Sequence, residues 1–356
     1  MAGRSLKSSA ISSLFWKLFE QGGAAAITLI VQIVLARLLT PEEFGELAIM
    51  LVFVNIGNVI VQSGLNTSII QAAEAGERDY STVFWMSVGM SLVLYAAVFA
   101  AAPFVAGFYG MPAVVWPLRA LCLVLVVNAY NAVQEAIVAR GLEFHKTFNS
   151  TLAAMVVSGA VGVVSALMGA GIWALVIQQL VQQVTKCIVL AAQVSWKPAA
   201  VFDASLARQH LGFGWKLLAS GLLDQGYQSL CDLIIGKVFT KADLGFVSQG
   251  KKYPQALGVV LDGAIQPVML SAVSRVQEDA ERVRSLARRG LKTSTYLVVP
   301  AMTLFAVAAD PIVVLVLGEK WLPCVDFLRA YCFIYALLPI HTTNLQTHNG
   351  VGRSDL

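Results

Sequence analysis

Charge is scarce in this sequence. Only 13% of its 356 residues are Asp, Glu, Lys or Arg, and 57% are hydrophobic, whereas soluble domains carry roughly 25% charged residues. A chain this poor in charge requires lipid as its solvent, and lipid permits only helices or closed barrels to span it. The apolar residues run in blocks of about 20 and do not alternate with period two. The sequence therefore predicts membrane-spanning helices and excludes a barrel.

Motifs for catalysis and for metal binding are also lacking. The sequence has no C-x-x-C pair, no H-E-x-x-H and no G-x-S-x-G motif, and no loop on the predicted outer side is long enough for a catalytic site. The segment Gly245–Lys252 matches G-x-x-x-x-G-K, but a lysine stands where a phosphate loop needs Ser or Thr. We therefore predict a protein that is not an enzyme and that needs no cofactor. Scattered cysteines, interpreted as small core residues, are Cys122, Cys187, Cys231, Cys324 and Cys332.

Ten segments are long and apolar enough to span a membrane. They cover residues 12–38, 43–71, 81–106, 114–139, 148–168, 171–194, 211–238, 244–272, 291–317 and 324–349. The joints between them are short, apart from a strongly charged stretch after the eighth segment. That stretch, Arg275–Lys292, is predicted to form a short amphipathic helix on the inner surface in contact with membrane lipids.

The basic residues are distributed unequally between the two sides of the predicted membrane. When the N-terminus is placed in the cytoplasm, the inner joints hold most of the Lys and Arg residues. The outer joints then hold only Arg37, Lys237, Lys241 and Lys320. Because cytoplasmic loops are enriched in Lys and Arg, the sequence predicts a cytoplasmic N-terminus. The net charge of +4 is small and the bases lie in loops, so nucleic acid is not an expected partner.

Two stretches of the sequence repeat at an offset of about 200 residues. FWKLFEQ near Lys17 resembles GWKLLAS near Lys216, and ARLLTPEEFG resembles GKVFTKADLG. Six predicted spans separate the copies, and this even number means that both copies enter the membrane in the same direction. The repeat therefore predicts two lobes related by an axis along the membrane normal. The second pair of motifs aligns Arg37 with Lys237, Thr40 with Thr240 and Gly45 with Gly245.

The repeat divides the chain into three regions. We expect a six-helix N-terminal lobe at residues 1–195, a cytoplasmic linker at 196–210, and a C-terminal lobe with four helices at 211–356. Because the first lobe has six spans, we expect the second lobe to be truncated here. The predicted fold class is an all-α membrane protein, a two-lobed helix bundle built from a parallel six-helix repeat.

Several predicted spans carry polar residues at helical spacing on one face. Such stripes are unfavourable against lipid, so they are expected to face the bundle interior or a water-filled cavity. Hydrogen bonding between helices is the alternative explanation. Lys17 and Lys216 occupy matched positions and suit a pyrophosphate, although lysine side chains also extend to the interface. The candidate substrate-binding residues are Lys17, Gln21, Asn55, Asn58, Asn128, Glu135, Lys186, Lys216, Asp224, Gln228, Lys251 and Asp262.

Five stretches carry a resemblance to a known family. They are LARLLTPEEFGELA, CDLIIGKVFTKADLGFVSQGKKYPQ, SAVSRVQEDAERVRS, ADPIVVLVLGEKWLP and the terminal GVGRSDL. Together they resemble the polysaccharide flippases of the multidrug/oligosaccharidyl-lipid/polysaccharide exporter superfamily, in particular the colanic-acid and teichuronic-acid exporters. The resemblance implies a two-lobed alternating-access fold of 12 to 14 helices with a central cationic cavity.

The resemblance also implies a function. The expected substrate is an undecaprenyl-pyrophosphate-linked oligosaccharide, moved from the cytoplasmic to the outer leaflet of a bacterial inner membrane for polysaccharide biosynthesis. Polysaccharide polymerase and glycosyltransferases are the protein partners that this role implies. A cation-coupled multidrug exporter of the same fold is an alternative, which Asp224 and Asp232 keep open. A membrane glycosyltransferase or polymerase is a weaker alternative, because it needs a large soluble loop with paired carboxylates.

Overall fold

In the computed structural model, the residues described are 27–62, 65–71, 76–274, 276 and 279–350. Every long element within these ranges is an α helix. The helices are α1 (Ile27–Leu38), α2 (Pro41–Gln62), α3 (Leu65–Gln71), α4 (Glu77–Tyr109), α5 (Val115–Leu121), α6 (Leu123–Arg140), α7 (Phe144–Leu167), α8 (Ile172–Gln193), α9 (Ala204–Val238), α10 (Lys241–Ser274), α11 (Ala280–Val307), α12 (Ala309–Val316), α13 (Cys324–Ala336) and α14 (Leu338–Gly350). Wherever the structure describes a predicted span, that span corresponds to one helix or to two consecutive ones, which confirms the all-α class.

Seven stretches in the described part of the chain are long and apolar enough to cross a membrane. They show that the protein is a multi-pass membrane protein. The helices α9 and α10, predicted as the seventh and eighth spans, are 35 and 34 residues long but are not among the seven. In α9 the polar side chains are the reason, since Lys216, Asp224 and Asp232 all fall within this helix. Large exposed apolar side chains such as Phe104 fit contact with lipid.

The chain packs as two compact units, residues 1–245 and 246–356. In the first unit, α6 packs against α4 and α8, α7 lies along α8, and α2 contacts α9. Small residues permit the close contacts, because Gly159 faces Val31 of α1 and Gly162 faces Gln178 of α8. These units reflect packing, whereas the predicted lobes reflect the sequence repeat, so the lobe boundaries stay a prediction.

The second unit is held together by α11, which contacts α12, α13 and α14. Gly250 on α10 lets that helix lie against α13, since a side chain there would meet Phe327 and the backbone of Cys324. Trp321 is fully buried and its ring meets Phe246 edge to face, with centroids 6.0 Å apart.

The connection between α8 and α9 is shorter than predicted. The linker was expected at residues 196–210, but α9 begins at Ala204, because the Asp203 carboxylate accepts hydrogen bonds from the backbone N–H groups of Ser205 and Leu206. The rest of the connection is held against the first unit: Trp196 is buried, and Trp85 donates a hydrogen bond to the Ala199 carbonyl.

The basic segment at residues 275–292 also differs from its prediction. It was expected to form a separate surface helix, but α11 runs without interruption from Ala280 to Val307. Asp279 caps this helix by accepting hydrogen bonds from the N–H groups of Glu281 and Arg282. Between Asp279 and the apolar turns no proline interrupts the helix, so the basic turns continue directly into the spanning segment.

Candidate functional site

Two of the predicted polar residues bind each other between α2 and α6. Asn128 is buried, and its Nδ2 donates a hydrogen bond of 2.9 Å to Oδ1 of Asn58. A hydrogen bond between amide side chains satisfies groups that would be unfavourable in an apolar interior. This contact joins the two helices at the centre of the first unit.

The predicted charges Glu135 and Lys186 form an ion pair between α6 and α8. Lys186 Nζ lies 2.5 Å from Glu135 Oε1, and both side chains are half-buried. One turn earlier on α6, Asn131 Nδ2 donates to the backbone carbonyl of Gln183 at 3.3 Å. The two contacts join α6 to α8, and the ion pair leaves neither Glu135 nor Lys186 as an unpaired half-buried charge.

The polar residues of α9 have a different environment. Gln228 Nε2 donates a hydrogen bond of 2.8 Å to Asp224 Oδ2, and both side chains are exposed. Lys216, three turns before Gln228 on the same helix, is also exposed, as is Asn55 on α2. These four residues present polar groups that remain accessible to a ligand.

Four candidates remain. Lys17 and Gln21 lie outside the described residues, and so does the side chain of Asp262 on α10. Lys251 is half-buried in the second unit. Across the part of the chain that the structure covers, no group of three or more His, Cys, Asp or Glu side chains converges as a metal site would.

The two repeated loops have the same local structure. Before α2, the Thr40 N–H donates to the Glu43 carboxylate at 2.8 Å, and the Glu43 N–H donates to the Thr40 hydroxyl at 3.4 Å. Before α10, Thr240 and Asp243 exchange the same two hydrogen bonds, at 3.0 and 3.2 Å. Each loop thus forms a capping box at the start of its helix. The shared geometry supports the alignment of Thr40 with Thr240.

The aligned glycines of these loops lie against each other. A Cβ atom on Gly45 would be 1.8 Å from the Lys241 carbonyl oxygen, and one on Gly245 would be 2.0 Å from the Pro41 carbonyl oxygen. Each position therefore admits glycine alone, because a backbone oxygen cannot move aside as a flexible side chain can. The contact is reciprocal, which is the property of an interface on a two-fold axis.

An ion pair also connects the start of α10 to α2. Lys241 Nζ lies 2.8 Å from Oε1 of Glu46, whose side chain is buried, and this hydrogen bond raises the pKa of Lys241 above its ordinary value. The start of α10 is therefore held on α2 by both close backbone packing and a charge.

Sequence reasoning missed a buried histidine near the start of α9. His210 is 4% exposed; its Nδ1 lies 2.8 Å from Ser68 Oγ and its Nε2 lies 3.3 Å from Asp79 Oδ1. The three residues come from α9, α3 and α4, at separations of 142 and 131 residues from the histidine. No motif spacing links residues this far apart, and a single histidine gives no pattern by itself.

The helical architecture matches solved transporters. The chain superposes on an inward-facing multidrug-resistance transporter of the MATE family in the MOP superfamily with a TM-score of 0.73, at 13% identity, covering 93% of this chain and 82% of that one. It superposes on the lipid II flippase MurJ, in an inward closed conformation, with a TM-score of 0.71 at 12% identity, covering 98% of this chain and 76% of that one. The fold is therefore that of the MOP-superfamily transporters.

Comparison of the amino-acid sequence with known proteins identifies the family to which the chain belongs. Residues 34–326 match the family of polysaccharide biosynthesis proteins, and the chain belongs to that family. It is 23% identical to the lipopolysaccharide biosynthesis protein WzxC of Escherichia coli K12, covering 93% of this chain and 68% of the relative. It is also 23% identical to the succinoglycan biosynthesis transport protein ExoT of Rhizobium meliloti, covering 95% of this chain and 68% of that protein.

Proposed function

We propose that this protein is a transporter, not an enzyme, which moves an undecaprenyl-pyrophosphate-linked oligosaccharide from the cytoplasmic to the outer leaflet of a bacterial inner membrane. The head group crosses while the lipid tail stays in the bilayer, and no bond is made or broken. The family and the relatives that act in lipopolysaccharide and succinoglycan biosynthesis support the polysaccharide role. The fold that the chain shares with multidrug transporters and a lipid flippase supports the movement of a lipid-borne substrate.

The observation that carries this proposal is the reciprocal contact of Gly45 with Gly245. Alternating access by rocking requires two related halves that touch closely on one face of the membrane and separate there during the cycle. The two capping boxes and the paired glycines provide such a contact between equivalent loops. With the N-terminus in the cytoplasm, both loops lie on the outer face, so the contact closes the outer side.

The exposed polar residues are the best candidates for contacting the head group. Asp224 and Gln228 form an exposed pair on α9, and hydroxyl groups of a sugar bind such carboxylate and amide groups. Lys216 is exposed on the same helix and carries the charge that a pyrophosphate requires. The pairs Asn58–Asn128 and Glu135–Lys186 satisfy each other, so we assign them the role of positioning the helices.

The protein works on the product of other enzymes. A lipid-linked oligosaccharide has to be assembled on the cytoplasmic leaflet by glycosyltransferases, and a polymerase consumes it on the outer leaflet. These enzymes are therefore the partners of the transporter in the same membrane.

Deletion of the gene tests the proposal. In the deletion strain the lipid-linked oligosaccharide should accumulate in the cytoplasmic leaflet, where reagents added outside the cell do not reach it. Surface polysaccharide should be lost. The full-length gene should restore export, and the susceptibility of the strain to cationic drugs should not change. Unchanged surface polysaccharide together with increased drug sensitivity would contradict the proposal and favour the multidrug exporter.

A further inference from the structure

Two arginines stand at equivalent positions in the two copies of the sequence repeat. AAAPFVAGFYG at the end of α4 resembles AADPIVVLVLG after α11, and LRALC in α5 resembles LRAYC in α13, so Arg119 aligns with Arg329. Arg119 Nε donates a hydrogen bond of 3.1 Å to the Phe99 carbonyl of α4. Arg329 Nε donates one of 3.3 Å to the Ala306 carbonyl of α11. Each arginine is therefore attached to the backbone of the preceding long helix.

A proline in α4 explains the hydrogen bond of Arg119. Pro103 lies inside this helix and has no backbone N–H, so the carbonyl four residues earlier, that of Phe99, loses its helical donor. Arg119 Nε supplies the missing donor. Arg119 Cζ also lies 4.0 Å from the centroid of the Phe99 ring and 4.9 Å from that of the Trp116 ring. The backbone contact and the two aromatic rings hold the guanidinium in one orientation.

The two arginines differ in their charge partners. Arg329 Nη2 is hydrogen-bonded to the Asp310 carboxylate, and Nη1 lies 3.7 Å from Asp326 Oδ1. The residue that aligns with Asp326 in the first copy is Trp116, which has no charge. Among the residues that the structure describes, no carboxylate lies within 4.0 Å of Arg119, and its Nη1 and Nη2 have no hydrogen-bond acceptor. The half-buried guanidinium of Arg119 thus has donors available for an anion from outside the protein.

The position of Arg119 along α4 places it at the level of a membrane surface. Its acceptor Phe99 is 22 residues beyond Glu77, the first residue of this continuous helix, a distance of about 33 Å. The hydrocarbon core of a bilayer is about 30 Å thick. When the charged start of α4 lies at one surface, Phe99 therefore reaches the other, which is the outer surface if the N-terminus is cytoplasmic. Trp116 is 65% exposed there, and tryptophan is enriched at membrane interfaces.

We propose that Arg119 binds the phosphate group of an anionic phospholipid in the leaflet at this surface, with Trp116 beside it. A cation near the hydrocarbon is unfavourable without a counter-ion, and a lipid phosphate supplies one. The fork of the guanidinium donates two parallel hydrogen bonds to two phosphate oxygens. An anionic head group is preferred over a zwitterionic one, because no described carboxylate lies within ion-pair distance of Arg119 to bind an ammonium group.

Native mass spectrometry of the full-length protein in a neutral detergent tests this site. Phosphatidylglycerol and phosphatidylethanolamine are titrated separately, and phosphatidylglycerol should bind more tightly. In Arg119→Gln its affinity should fall roughly tenfold or more, as expected for loss of a charge-assisted contact. Arg119→Lys should retain part of the affinity, since an ammonium group keeps the charge but lacks the fork. Arg329→Gln is the matched control and should bind phosphatidylglycerol as the wild type does, because carboxylates already occupy that guanidinium.

A second variant tests the site without removing the arginine. Arg119→Gln also deprives the Phe99 carbonyl of its donor and can impair folding, whereas Trp116→Asp leaves that hydrogen bond in place. Trp116→Asp copies Asp326 of the second copy and gives Arg119 a carboxylate partner within the protein. Affinity for phosphatidylglycerol should then fall about as far as in Arg119→Gln. Trp116→Asn removes the ring without adding a charge and should retain more of the affinity than Trp116→Asp.

Three results would overturn the proposal. The first is wild-type affinity for phosphatidylglycerol in Trp116→Asp, or a loss in Arg329→Gln as large as that in Arg119→Gln. The second is equal binding of phosphatidylethanolamine and phosphatidylglycerol by the wild-type protein. The third is displacement of phosphatidylglycerol by a lower concentration of undecaprenyl phosphate, which would assign the site to the polyprenyl carrier. These measurements need no transport, so their failure is distinct from a failure of the proposed function.

Discussion

Gly45 and Gly245 lie side by side where the starts of α2 and α10 approach each other, and neither has room for a side chain. The Lys241 carbonyl oxygen fills the side-chain position of Gly45, and the Pro41 carbonyl oxygen fills that of Gly245. The backbone nitrogen of Gly245 is 3.2 Å from the Cβ position of Gly45, and the reverse distance is 3.3 Å. The two residues are equivalent in the sequence repeat, and their loops share one capping geometry. Two copies of one motif therefore meet about a local two-fold axis.

Substitution of either glycine should weaken this contact. In Gly45→Ala or Gly245→Ala, the new methyl group overlaps a backbone carbonyl oxygen, and overpacking of this kind costs about 1–3 kcal/mol. The closed state of the outer side should lose roughly 5- to 150-fold in population. Labelling of a cysteine placed at Asn55, an exposed polar residue of α2, should then increase from the outside of intact cells.

Gly107→Ala is the matched control for these variants. Gly107 lies within helix α4, and nothing lies within 4 Å of its Cβ position. Its export activity and cysteine labelling should equal those of the wild-type protein. Normal labelling in Gly45→Ala and Gly245→Ala would show that the glycine contact does not close the outer side.

The Lys241–Glu46 pair should stabilise the protein by more than an exposed pair does. In Lys241→Met, the buried Glu46 carboxylate loses its partner, and unfolding should become easier by about 1–2 kcal/mol after allowance for the exposure of Lys241. The double variant with Glu46→Gln should recover part of this loss.

The exposed pair Arg282–Asp279 is the control, and Arg282→Met should change stability by less than about 0.5 kcal/mol. Thermal unfolding in detergent measures all four proteins, and equal effects of Lys241→Met and Arg282→Met would contradict the prediction.

The sequence predicts the helices well because each span needs a long apolar run. It also predicts the repeat, since Thr40 and Thr240 precede equivalent capping residues. It misplaces the ends of helices that are set by a single capping residue, as at Asp203 and Asp279. These caps lie outside the long apolar runs, so the spacing of apolar residues does not mark where the helix begins. It identifies the polar faces of α6 and α8, but it cannot show that Glu135 binds Lys186. The spacing of polar residues along one helix does not tell which helix packs against that face. The contacts of His210 with Ser68 and Asp79 join three positions that are far apart in the sequence, so no sequence pattern predicts them.

Reversal of the Glu135–Lys186 pair separates a positioning role from substrate binding. Each single variant, Glu135→Gln or Lys186→Met, leaves a half-buried charge without its partner and should lower stability by about 1–2 kcal/mol. The exchanged variant, Glu135→Lys with Lys186→Glu, should recover most of the stability and also most of the export. A stable exchanged variant that does not export would instead place the pair in contact with the head group, as the sequence alone suggests.

The matched lysines should bind the pyrophosphate. Loss of one charge-assisted contact in Lys17→Gln or Lys216→Gln should weaken substrate binding by roughly 1.5–3 kcal/mol, or about 10- to 150-fold. Lys17→Arg and Lys216→Arg keep the charge and should retain most of the activity. Export is compared in cells at equal membrane abundance of each variant. Normal export by the double Gln variant would remove both lysines from the mechanism.

Transport in a purified system tests the central proposal most directly. The full-length protein is reconstituted into lipid vesicles that contain an undecaprenyl-pyrophosphate-linked oligosaccharide, and a sugar-modifying reagent that cannot cross the membrane is added outside. In protein-free vesicles the reagent should reach only the outer leaflet, about half of the substrate, whereas active protein should expose nearly all of it. Gly107→Ala should behave as wild type, and Gly45→Ala should slow the second half of the reaction. Modification that stops at the protein-free level in vesicles with folded wild-type protein would contradict the assignment of this chain as a lipid-linked oligosaccharide flippase.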